Sequence, residues 1–583
     1  MPRIRMAAAA AAAFLLLAAC GGDSTSPGST TPPPPSAAIH AIVLSPATAD
    51  VTIGRTKAII AIPKDASGRP LTGRALTWSS SATTVATVDA NGVVTGVAAG
   101  SATITATSEG VIGSALVSVT VPVATVTVTK ALDTLEAWNQ APMTAVLRDA
   151  NQNVLNGRVV RWTSSNPAIA AVDSVTGVLT GFDRGTVTVT ATSETKSGSA
   201  SRVVVIKYRS VAAGSMHACD IASGGFVWCW GLNGREGRIG SATLGDNAMS
   251  AVPVLVPNTG PAALRFAQLS SYGTHTCGVT VDSRAYCWGN NGWGQLGLPG
   301  GASQSSVPVA VSAALAFRQV STGADHTCGV TTDNRAYCWG HNDWRQFASA
   351  TPAASAAPVA VAPEMSFASV SAGTGFTCGV TTAGAAYCWG ASGLGQLGNG
   401  EKISYGNTFS VTPVAVATSL PLRAIDASLS FACALGANNQ AICWGSNGGR
   451  LGNGNTTDTS TPVIAGNGMS FSSIATGNGF SCGVATDAAL WCWGSNSSGQ
   501  LGVAAPAVAT SPVRAGGSLL VSEVSASGVS TGFGSHTCTI SADRLTSYCF
   551  GRNEDGQLGN GGTSLPTAVN PNPTIVVGQR PLP

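Results

Sequence analysis

The sequence predicts an all-β protein in which two tandem β-sandwiches precede a seven-bladed β-propeller. Residues 39–206 contain one strand pattern twice, and residues 207–583 contain a cysteine-pair pattern seven times. The composition agrees, because 71 of the 583 residues are Gly, 30 are Pro and only 10% are charged, against roughly 25% charged residues in ordinary soluble proteins. A chain of this length forms several domains rather than one.

The N-terminus has the features of an export signal at residues 1–19. Arg3 and Arg5 precede an apolar run at residues 6–18, which is shorter than the roughly 20 residues that a bilayer span requires. The run leads into Leu-Ala-Ala-Cys, which resembles the lipobox of bacterial lipoproteins. That resemblance implies lipidation of Cys20 and anchoring to the outer membrane or cell surface. The alternative is a plain secretory signal that leaves Cys20 as a chance thiol.

A linker rich in Ser, Thr and Pro follows at residues 20–38. Its composition cannot bury a core, and the four prolines at 32–35 favour an extended chain. We expect it to act as a spacer between the membrane and the folded domains.

Two all-β units are predicted at residues 39–122 and 123–206. Each contains a Trp motif, Leu-Thr-Trp-Ser-Ser in the first and Val-Arg-Trp-Thr-Ser in the second, and each then contains Gly-Val-x-Thr-Gly. Each closes on an alternating run, at residues 102–107 and 186–191, with the period of a half-buried strand. The motifs resemble bacterial immunoglobulin-like domains of the second group, which implies two Ig-like β-sandwiches.

Neither unit contains a Cys, so each sandwich must rest on its packed core rather than on a disulfide between sheets. We expect Trp78 and Trp162 to be core residues rather than ligand contacts.

Seven copies of one unit of about 50 residues fill residues 207–583. The third copy has the Cys pair in Gly-Ala-Asp-His-Thr-Cys-Gly-Val-Thr and Ala-Tyr-Cys-Trp-Gly, and most copies continue with Gly-Gln-Leu-Gly and a Pro-Val strand. The Cys pair flanks turn residues, which predicts a hairpin, and two further strands give four strands per unit. Four strands repeated seven times predict a propeller. The motifs closely resemble the regulator of chromosome condensation repeat, a family of seven-bladed β-propellers.

Counting the Pro-Val strands suggests how the ring closes. The last copy has one strand to spare, at residues 566–569 or 574–577. We predict that this segment returns to the blade that contains Cys219, so that both ends of the propeller share one sheet and no strand edge is exposed.

The cysteine count indicates an oxidising compartment. Apart from Cys20, the 15 Cys fall into seven hairpin pairs with a turn midway between the partners, which brings the side chains to disulfide distance on neighbouring strands. Metal binding is the alternative, but the spacing lacks the short Cys spacing of zinc sites. The predicted disulfides are Cys219–Cys229, Cys277–Cys287, Cys328–Cys338, Cys378–Cys388, Cys433–Cys443, Cys482–Cys492 and Cys538–Cys549.

Four His residues occupy one repeat position, two residues before the first Cys of the pair. Because Phe376, Phe431 and Phe480 stand there in other copies, we interpret the histidines as packing residues rather than as a catalytic or metal site. They are His217, His275, His326 and His536.

Two further patterns suggest chemistry but are better explained by turns. Two loops match the dinucleotide pattern G-x-G-x-x-G without a following helix that would bind phosphate, and the Asp residues at the hairpin turns suit local hydrogen bonding. We predict no catalytic residues, no metal site and no cofactor.

The Trp after the second Cys recurs in six copies, with Phe550 in the seventh, and we expect these rings to pack between blades. Positions that differ between copies are better candidates for binding. We predict ligand contacts at Trp293, Trp344, Asn291, Asn342 and His341, with partly packed loop aromatics as the alternative.

Tyr272, Asp325 and Arg345 are candidates for the border of the same face. A peptide or sugar would stack on the Trp rings and bond to the amides.

The sequence therefore predicts a lipid-anchored cell-surface protein for binding or adhesion, in which an Ig-like stalk presents the disulfide-bonded propeller as a recognition module. The formal net charge of +3 provides no field to attract nucleic acid. We expect a monomer whose partner is an extracellular or periplasmic protein or glycan.

Two other functions stay open. The family resemblance implies an inhibitor of a secreted enzyme as one alternative, and a glycan-active enzyme on the same scaffold is another. Guanine-nucleotide exchange, the activity of eukaryotic members, requires a partner that an export signal excludes.

Overall fold

The fold is described from a computed structural model. It describes residues 37–577 except 242–243, 246–247, 258–263, 313, 402, 407, 529–534 and 566–567. The predicted signal, Cys20 and the linker up to residue 36 lie outside the described residues. The chain divides into two compact units, Met1–Ala124 and Thr125–Pro583. Both helical segments in the described part are three-residue 3-10 turns, at Ser223–Gly225 and Gly466–Gly468, and neither has the length and hydropathy to cross a bilayer.

The first unit is a β-sandwich of nine strands. Its sheets have the orders β2-β9-β8-β5, β3-β7-β6 and β1-β4. The strands are β1 (Ala41–Ser45), β2 (Thr48–Thr52), β3 (Thr56–Ala58), β4 (Ile60–Lys64), β5 (Thr77–Ser80), β6 (Ala86–Val88), β7 (Val93–Gly96), β8 (Gly100–Ser108) and β9 (Val111–Thr120).

The second sandwich has eight strands in two four-stranded sheets, β10-β12-β15-β14 and β11-β17-β16-β13. The strands are β10 (Thr125–Lys130), β11 (Thr134–Glu136), β12 (Gln140–Arg148), β13 (Arg161–Ser164), β14 (Ala170–Val172), β15 (Val178–Gly181), β16 (Gly185–Ser193) and β17 (Lys196–Val205).

The predicted alternating runs lie within β8 and β16, where every second residue is buried. The Trp motifs also have the expected role. Trp162 is buried, and Trp78 packs against the first core while remaining partly accessible. The Gly of each Gly-Val-x-Thr-Gly motif is required for this packing, because a Cβ at Gly92 would lie 2.6 Å from the Trp78 ring. The prediction of two sandwiches with tryptophan cores is confirmed.

The rest of the chain forms seven four-stranded antiparallel blades, each built from consecutive strands. Within each blade we name the strands a to d from the axis outwards. The strands of blades 1 to 4 are β18 (Tyr208–Ala213), β19 (His217–Ala222), β20 (Phe226–Leu232), β21 (Met249–Leu255); β22 (Phe266–Ser271), β23 (His275–Thr280), β24 (Ala285–Asn290), β25 (Gln304–Ala310); β26 (Phe317–Thr322), β27 (His326–Thr331), β28 (Ala336–His341), β29 (Ala354–Val361); β30 (Phe367–Ala372), β31 (Phe376–Thr381), β32 (Ala386–Ala391) and β33 (Phe409–Ala415).

Blades 5 to 7 continue the same order. Their strands are β34 (Leu422–Ala427), β35 (Phe431–Gly436), β36 (Ala441–Gly445), β37 (Thr459–Ile464); β38 (Phe471–Thr476), β39 (Phe480–Ala485), β40 (Leu490–Ser495), β41 (Val508–Arg514); β42 (Val521–Ala526), β43 (His536–Ser541), β44 (Ser547–Gly551) and β45 (Thr574–Ile575).

The Gly-Gln-Leu-Gly motif is the joint between successive blades. In blade 2 the carbonyl oxygen of Gln295 accepts a hydrogen bond of 2.9 Å from Nε1 of Trp339 in blade 3, and Leu296 is buried between the blades. A Cβ at Gly297 would lie 3.1 Å from the same Nε1 atom. The glycines therefore permit tight turns and a close approach of the Trp ring, as expected.

All seven predicted disulfides form between strands b and c, with Cα–Cα distances of 4.0 to 4.1 Å. Their fourteen Cys residues are fully buried. In blade 7 the extra residue lies in the b–c turn, where Arg544 has a positive φ of 63°.

The predicted closure of the ring by strand exchange is wrong. The last described strand, β45, pairs with β44 of its own blade, and β18 supplies strand a of blade 1. The strand-a signal of blade 1 is Tyr208-Arg209-Ser210-Val211, the equivalent of the Phe-x-x-Val that begins other blades. Because blade 1 is complete without the C-terminus, no strand needs to return to it.

Side chains close the ring instead. At five of the seven junctions around the axis, a side chain of one strand a accepts a hydrogen bond from a backbone N–H of the next strand a. The Ala372 N–H donates to Ser321 Oγ at 3.0 Å between blades 3 and 4, and the Ala213 N–H donates to Ser525 Oγ at 2.9 Å between blades 7 and 1. Glu523 reinforces this last junction by accepting from the Val211 N–H at 3.0 Å. The junction between the first and last blades therefore resembles the internal ones.

Alanine at Ser525 is expected to lower the free energy of unfolding by about 1–2 kcal/mol, because it leaves a backbone N–H at the axis without its partner. Ser321→Ala removes the same contact at an internal junction and is the matched control. Urea unfolding followed by Trp fluorescence compares the two. A silent Ser525→Ala beside a destabilising Ser321→Ala would contradict this mode of closure.

Candidate binding face of the propeller

The up-and-down order of the strands divides the loops between two faces. The a–b loops and the c–d loops lie on one face, which we call the loop face, and the b–c turns lie on the opposite turn face. The Asp residues at the hairpin turns lie on the turn face and make the local hydrogen bonds that were predicted. Asp282 accepts from Thr280 Oγ1, and Asp543 accepts from Ser541 Oγ. All five predicted ligand contacts belong to c–d segments and therefore come to the loop face.

Two of these five predictions are wrong. Asn291 and Asn342 are buried, and their side chains hold their own loops together. Oδ1 of Asn342 accepts from the Phe347 N–H at 2.8 Å, and its Nδ2 donates to the carbonyl oxygen of Pro352 at 2.7 Å. Asn291 makes the equivalent bonds in blade 2. Their hydrogen bonds serve the loop, so these amides do not face a ligand.

Trp293 and His341 come together on the surface. Trp293 is 47% exposed, and its ring lies 4.2 Å from the His341 ring, centroid to centroid, at an angle of 30°. His341 Nε2 lies 2.9 Å from Asp343 Oδ2. Burial raises the pKa of the neighbouring Asp325, and the charge of His341 partly offsets this rise. The result is an aromatic surface flanked by two carboxylates.

Trp344 forms one wall of a cavity of about 440 Å³ over blade 4, which we call the blade 4 cavity. Its other walls come from the a–b loops of blades 4 and 5 and from the c–d loop of blade 4. The side chains of Leu394, Gln396, Leu429 and Ser430 line it, together with the backbone of Gly375. A cavity of this size lies in the range of small-molecule sites, about 300–1,000 Å³.

The loop that carries Trp344 departs from the repeat motif. Arg345 and Ala348 stand where other blades have glycine, and their φ angles are +67° and +52°. The guanidinium of Arg345 lies 5.0 Å from the centroid of the Phe409 ring, which is 44% exposed. Side chains are rare in this left-handed region, and such backbone outliers concentrate at functional sites.

Tyr272 has a different place from the one expected at the border of this face. It replaces the glycine of the a–b loop and is buried at the axis, where its hydroxyl lies 3.1 Å from Ser428 Oγ of blade 5. It therefore crosses the end of an axial cavity of about 180 Å³. Burial raises the pKa of Asp426, on this cavity, to about 6, while hydrogen bonds from Thr476 limit the rise.

The four repeated histidines are buried structural residues, as interpreted from the sequence. Nε2 of His217, His275 and His326 lies within 3.0 Å of a Thr hydroxyl in the next blade. His536 has Ala218 at that position instead. In the described part of the chain, no group of three or more His, Cys, Asp or Glu side chains has the arrangement of a metal site.

The second sandwich contacts the turn face at blade 1. Trp138 packs against the Phe226 ring at 4.6 Å between centroids, and Glu136 Oε1 accepts from Arg209 Nη2 at 2.6 Å and from Ser223 Oγ at 2.9 Å. Gly224 is required here, because a Cβ would lie 2.7 Å from the Trp138 ring. This sandwich therefore leaves the loop face free.

Comparison with protein families agrees with these two architectures. The model of the bacterial Ig-like domain (group 2) matches residues 38–120 and 122–204. The model of the regulator of chromosome condensation (RCC1) repeat matches residues 317–343, 367–396 and 471–500, in blades 3, 4 and 6. The chain combines two bacterial Ig-like domains with a propeller of RCC1 repeats.

Curated relatives share part of the RCC1 propeller. The ultraviolet-B receptor UVR8 of Arabidopsis thaliana is 32% identical over 136 residues, which are 22% of this chain and 29% of that protein. The human regulator of chromosome condensation is 31% identical over 132 residues, 22% of this chain and 30% of that protein. The chain thus spans less than a third of the length of these relatives.

Solved structures are similar over most of the RCC1 propeller. Prp20p from Saccharomyces cerevisiae gives a TM-score of 0.54 at 18% identity, covering 64% of this chain and 88% of that chain. Human WBSCR16 gives 0.51 at 21% identity, covering 57% and 87%. At these identities the likeness shows the fold alone. The seven disulfides and the Ig-like domains indicate an extracellular bacterial protein, because disulfides persist in oxidising compartments.

Proposed function

We propose that the chain is an exported, lipid-anchored binding protein of the bacterial cell envelope, and that the loop face of its RCC1 propeller is the recognition surface. One observation carries this proposal. Trp293, His341 and Trp344 lie together with the blade 4 cavity on the face opposite to the docked second sandwich. Aromatic side chains at the rim of a cavity are typical of recognition sites.

The envelope location is supported by the N-terminal sequence and by the bridges. Cys20 follows an apolar run of signal length, and the propeller contains one buried disulfide per blade. We propose that Cys20 carries the lipid and that the linker and the Ig-like domains separate the propeller from the membrane. In this proposal the protein binds its partner without turnover.

Alanine at Trp293 and Trp344 together is expected to lower affinity for the partner by about tenfold or more, because exposed aromatic residues dominate recognition energy. The full oxidised chain is used to probe an array of glycans and envelope proteins, and the variant is then titrated against each hit. Val281 is 68% exposed on the turn face, so Val281→Ala is the matched control.

Four outcomes separate the functions. Loss of binding in the double variant with retention in Val281→Ala supports recognition by the loop face. Full binding by the double variant contradicts it. Chemical change of a bound glycan, detected by mass spectrometry, would favour the enzyme alternative, and loss of a bound enzyme's activity would favour the inhibitor alternative.

A further inference from the structure

The blade 4 cavity has walls without charge. Among the described residues that line it, none is Asp, Glu, Lys, Arg or His. Leu394 and Leu429 supply apolar surface, and Thr374, Thr408 and Ser430 supply hydroxyl groups. A ligand with a formal charge would lose its hydration there without gaining an ionic partner. The walls therefore favour a neutral ligand with both apolar and hydroxyl surfaces.

Among the glutamines of the Gly-Gln-Leu-Gly motif, Gln396 is the one that lines this cavity. In two of the five blades that carry the Gln of the Gly-Gln-Leu-Gly motif, its amide nitrogen donates inside its own blade, whereas Nε2 of Gln346 and of Gln557 is buried without a partner among the described residues. In blade 2, Gln295 Nε2 donates to Asn290 Oδ1 at 3.2 Å, and in blade 6, Gln500 Nε2 donates to Ser495 Oγ at 3.4 Å. In both blades the acceptor is the last residue of strand c.

Blade 4 lacks that acceptor, because its strand c ends at Ala391. Gln396 is only 5% exposed, and its Oε1 still accepts from the Leu394 N–H at 2.8 Å. Its Nε2 has no hydrogen-bond partner within the part of the chain that the structure describes. A nearly buried amide thus presents a donor at the cavity wall, and leaving such a donor unpaired costs free energy.

Trp344 gives the cavity an aromatic wall. The backbone of Gly375, in the neighbouring a–b loop, lies beside this ring, and a Cβ there would make an ordinary contact of 3.4 Å with Trp344 Cγ. The loop of Trp344 is held by the bond from its N–H to Gln346 Oε1 at 3.0 Å. The backbone that carries the ring is therefore held in position before any ligand binds, which lowers the entropic cost of stacking.

We propose that the blade 4 cavity binds a neutral sugar, with the apolar C–H face of the sugar ring on Trp344 and a sugar oxygen accepting from Gln396 Nε2. Ser430 contributes a hydroxyl on the same wall. This assignment rests on the proposed function and names its ligand class. A sugar matches the cavity because it combines an apolar ring face with a rim of neutral hydroxyl groups.

The test is a titration of the full oxidised chain with neutral disaccharides. The panel consists of maltose, cellobiose, lactose and N,N′-diacetylchitobiose, with a uronic-acid disaccharide from hyaluronan as the charged comparison. Isothermal titration calorimetry and quenching of Trp fluorescence follow binding. Saturable binding of at least one neutral disaccharide, and none of the charged one, is the expected result.

Matched variants assign the site. Gln396→Met removes the free donor and also the internal bond from Leu394. Gln500→Met removes the equivalent internal bond from Ser498 but lies outside the cavity, so it controls for loop damage. We expect about tenfold weaker binding for Gln396→Met, about tenfold or greater loss for Trp344→Ala, and no change for Gln500→Met.

The outcomes keep the two proposals distinct. If no neutral disaccharide binds, or if Trp344→Ala and Gln396→Met bind as tightly as the native chain, the sugar assignment is wrong. A protein partner whose binding depends on Trp293 and Trp344 would then leave the proposed function intact. Loss of every loop-face ligand on the array would overturn both.

Discussion

The oxidised chain is expected to refold reversibly from denaturant, whereas the reduced chain is expected not to recover the propeller. Each bridge joins opposite residues of strands b and c across 10 or 11 positions. Closing a loop of that length stabilises a fold by roughly 2–3 kcal/mol, so seven bridges contribute on the order of 15–20 kcal/mol. This exceeds the roughly 5–15 kcal/mol by which a domain is normally stable.

Burial adds a kinetic expectation to this thermodynamic one. Because all fourteen sulfurs are inaccessible to solvent, dithiothreitol is expected to reduce the bridges only when a blade opens. Alkylation of free thiols followed by mass spectrometry measures reduction with and without urea. The oxidised chain taken through the same urea cycle is the control. Rapid reduction of all seven bridges without urea would contradict the buried arrangement.

The repeated parts of the fold were predictable because each is specified locally. A Cys pair with a central turn specifies one hairpin, and the alternating run at residues 102–107 specifies one strand. Ring closure was predicted wrongly because the first strand of blade 1 was not recognised. Without that strand, blade 1 needed one from the C-terminus. Tyr208-Arg209-Ser210-Val211 matches Phe317-Arg318-Gln319-Val320 of blade 3, and that match would have completed blade 1 without the C-terminus.

The candidate site was predictable only in part. The variable residues Trp293 and Trp344 do lie on the loop face, since variation within a repeat marks positions that the scaffold does not need. Asn291 and Asn342, in contrast, stand at a position that varies little between blades, because Asn recurs there in four other blades. Those residues are Asn233, Asn447, Asn496 and Asn553, and each accepts from a loop N–H in its own blade. That recurrence indicates a structural role rather than a ligand contact.

The blade 4 cavity was not predictable from the sequence. Its walls come from three consecutive blades, and the packing of these blades brings Trp344 and Leu429 together. The amide nitrogen of Gln396 is free because Ala391 has no side-chain acceptor for it. A motif search detects residues that are present and does not detect a missing acceptor. Ala391 follows Cys-Trp-Gly in blade 4, as Asn290 and Ser495 do in blades 2 and 6, but the sequence does not show that the Gln396 amide lines a cavity.

The propeller is expected to lose stability steeply between pH 6.5 and pH 5, because its repeated histidines are buried. Burial lowers the pKa of His275, His326 and His536 to about 3, and burial also lowers the pKa of His217. In the unfolded chain these side chains titrate near 6.5. The unfolded state therefore binds more protons below pH 6.5, and acidification favours it.

The size of the loss follows from the same difference in pKa. At pH 5 each histidine with a native pKa near 3 costs about 2 kcal/mol relative to neutral pH. Asp426 acts in the opposite direction, because burial raises its pKa to about 6. The stability that protonated Asp426 contributes is lost as pH rises through 6. Acidification to pH 5 therefore restores only about 1–2 kcal/mol of the free energy of unfolding. The histidines outweigh it.

The repeat itself supplies the variants that test this expectation. Phe480 stands at the histidine position of blade 6, next to Thr537 of blade 7, whose hydroxyl donates to the Gln500 carbonyl oxygen at 2.8 Å. His326→Phe and His536→Phe therefore place in blades 3 and 7 a ring that the fold already accepts. Each should recover about 2 kcal/mol at pH 5 and change little at pH 7.5.

Urea midpoints at pH 7.5 and pH 5 measure the effect, and the exposed His40 of the first sandwich provides the control variant His40→Gln. Equal midpoints at the two pH values in the native chain would contradict the buried histidines. Because His536 faces Ala218 rather than a threonine, His536→Phe loses no hydrogen bond to a threonine of the next blade. It is therefore expected to stabilise the propeller even at neutral pH, which His326→Phe, with its bond to Thr377, is not.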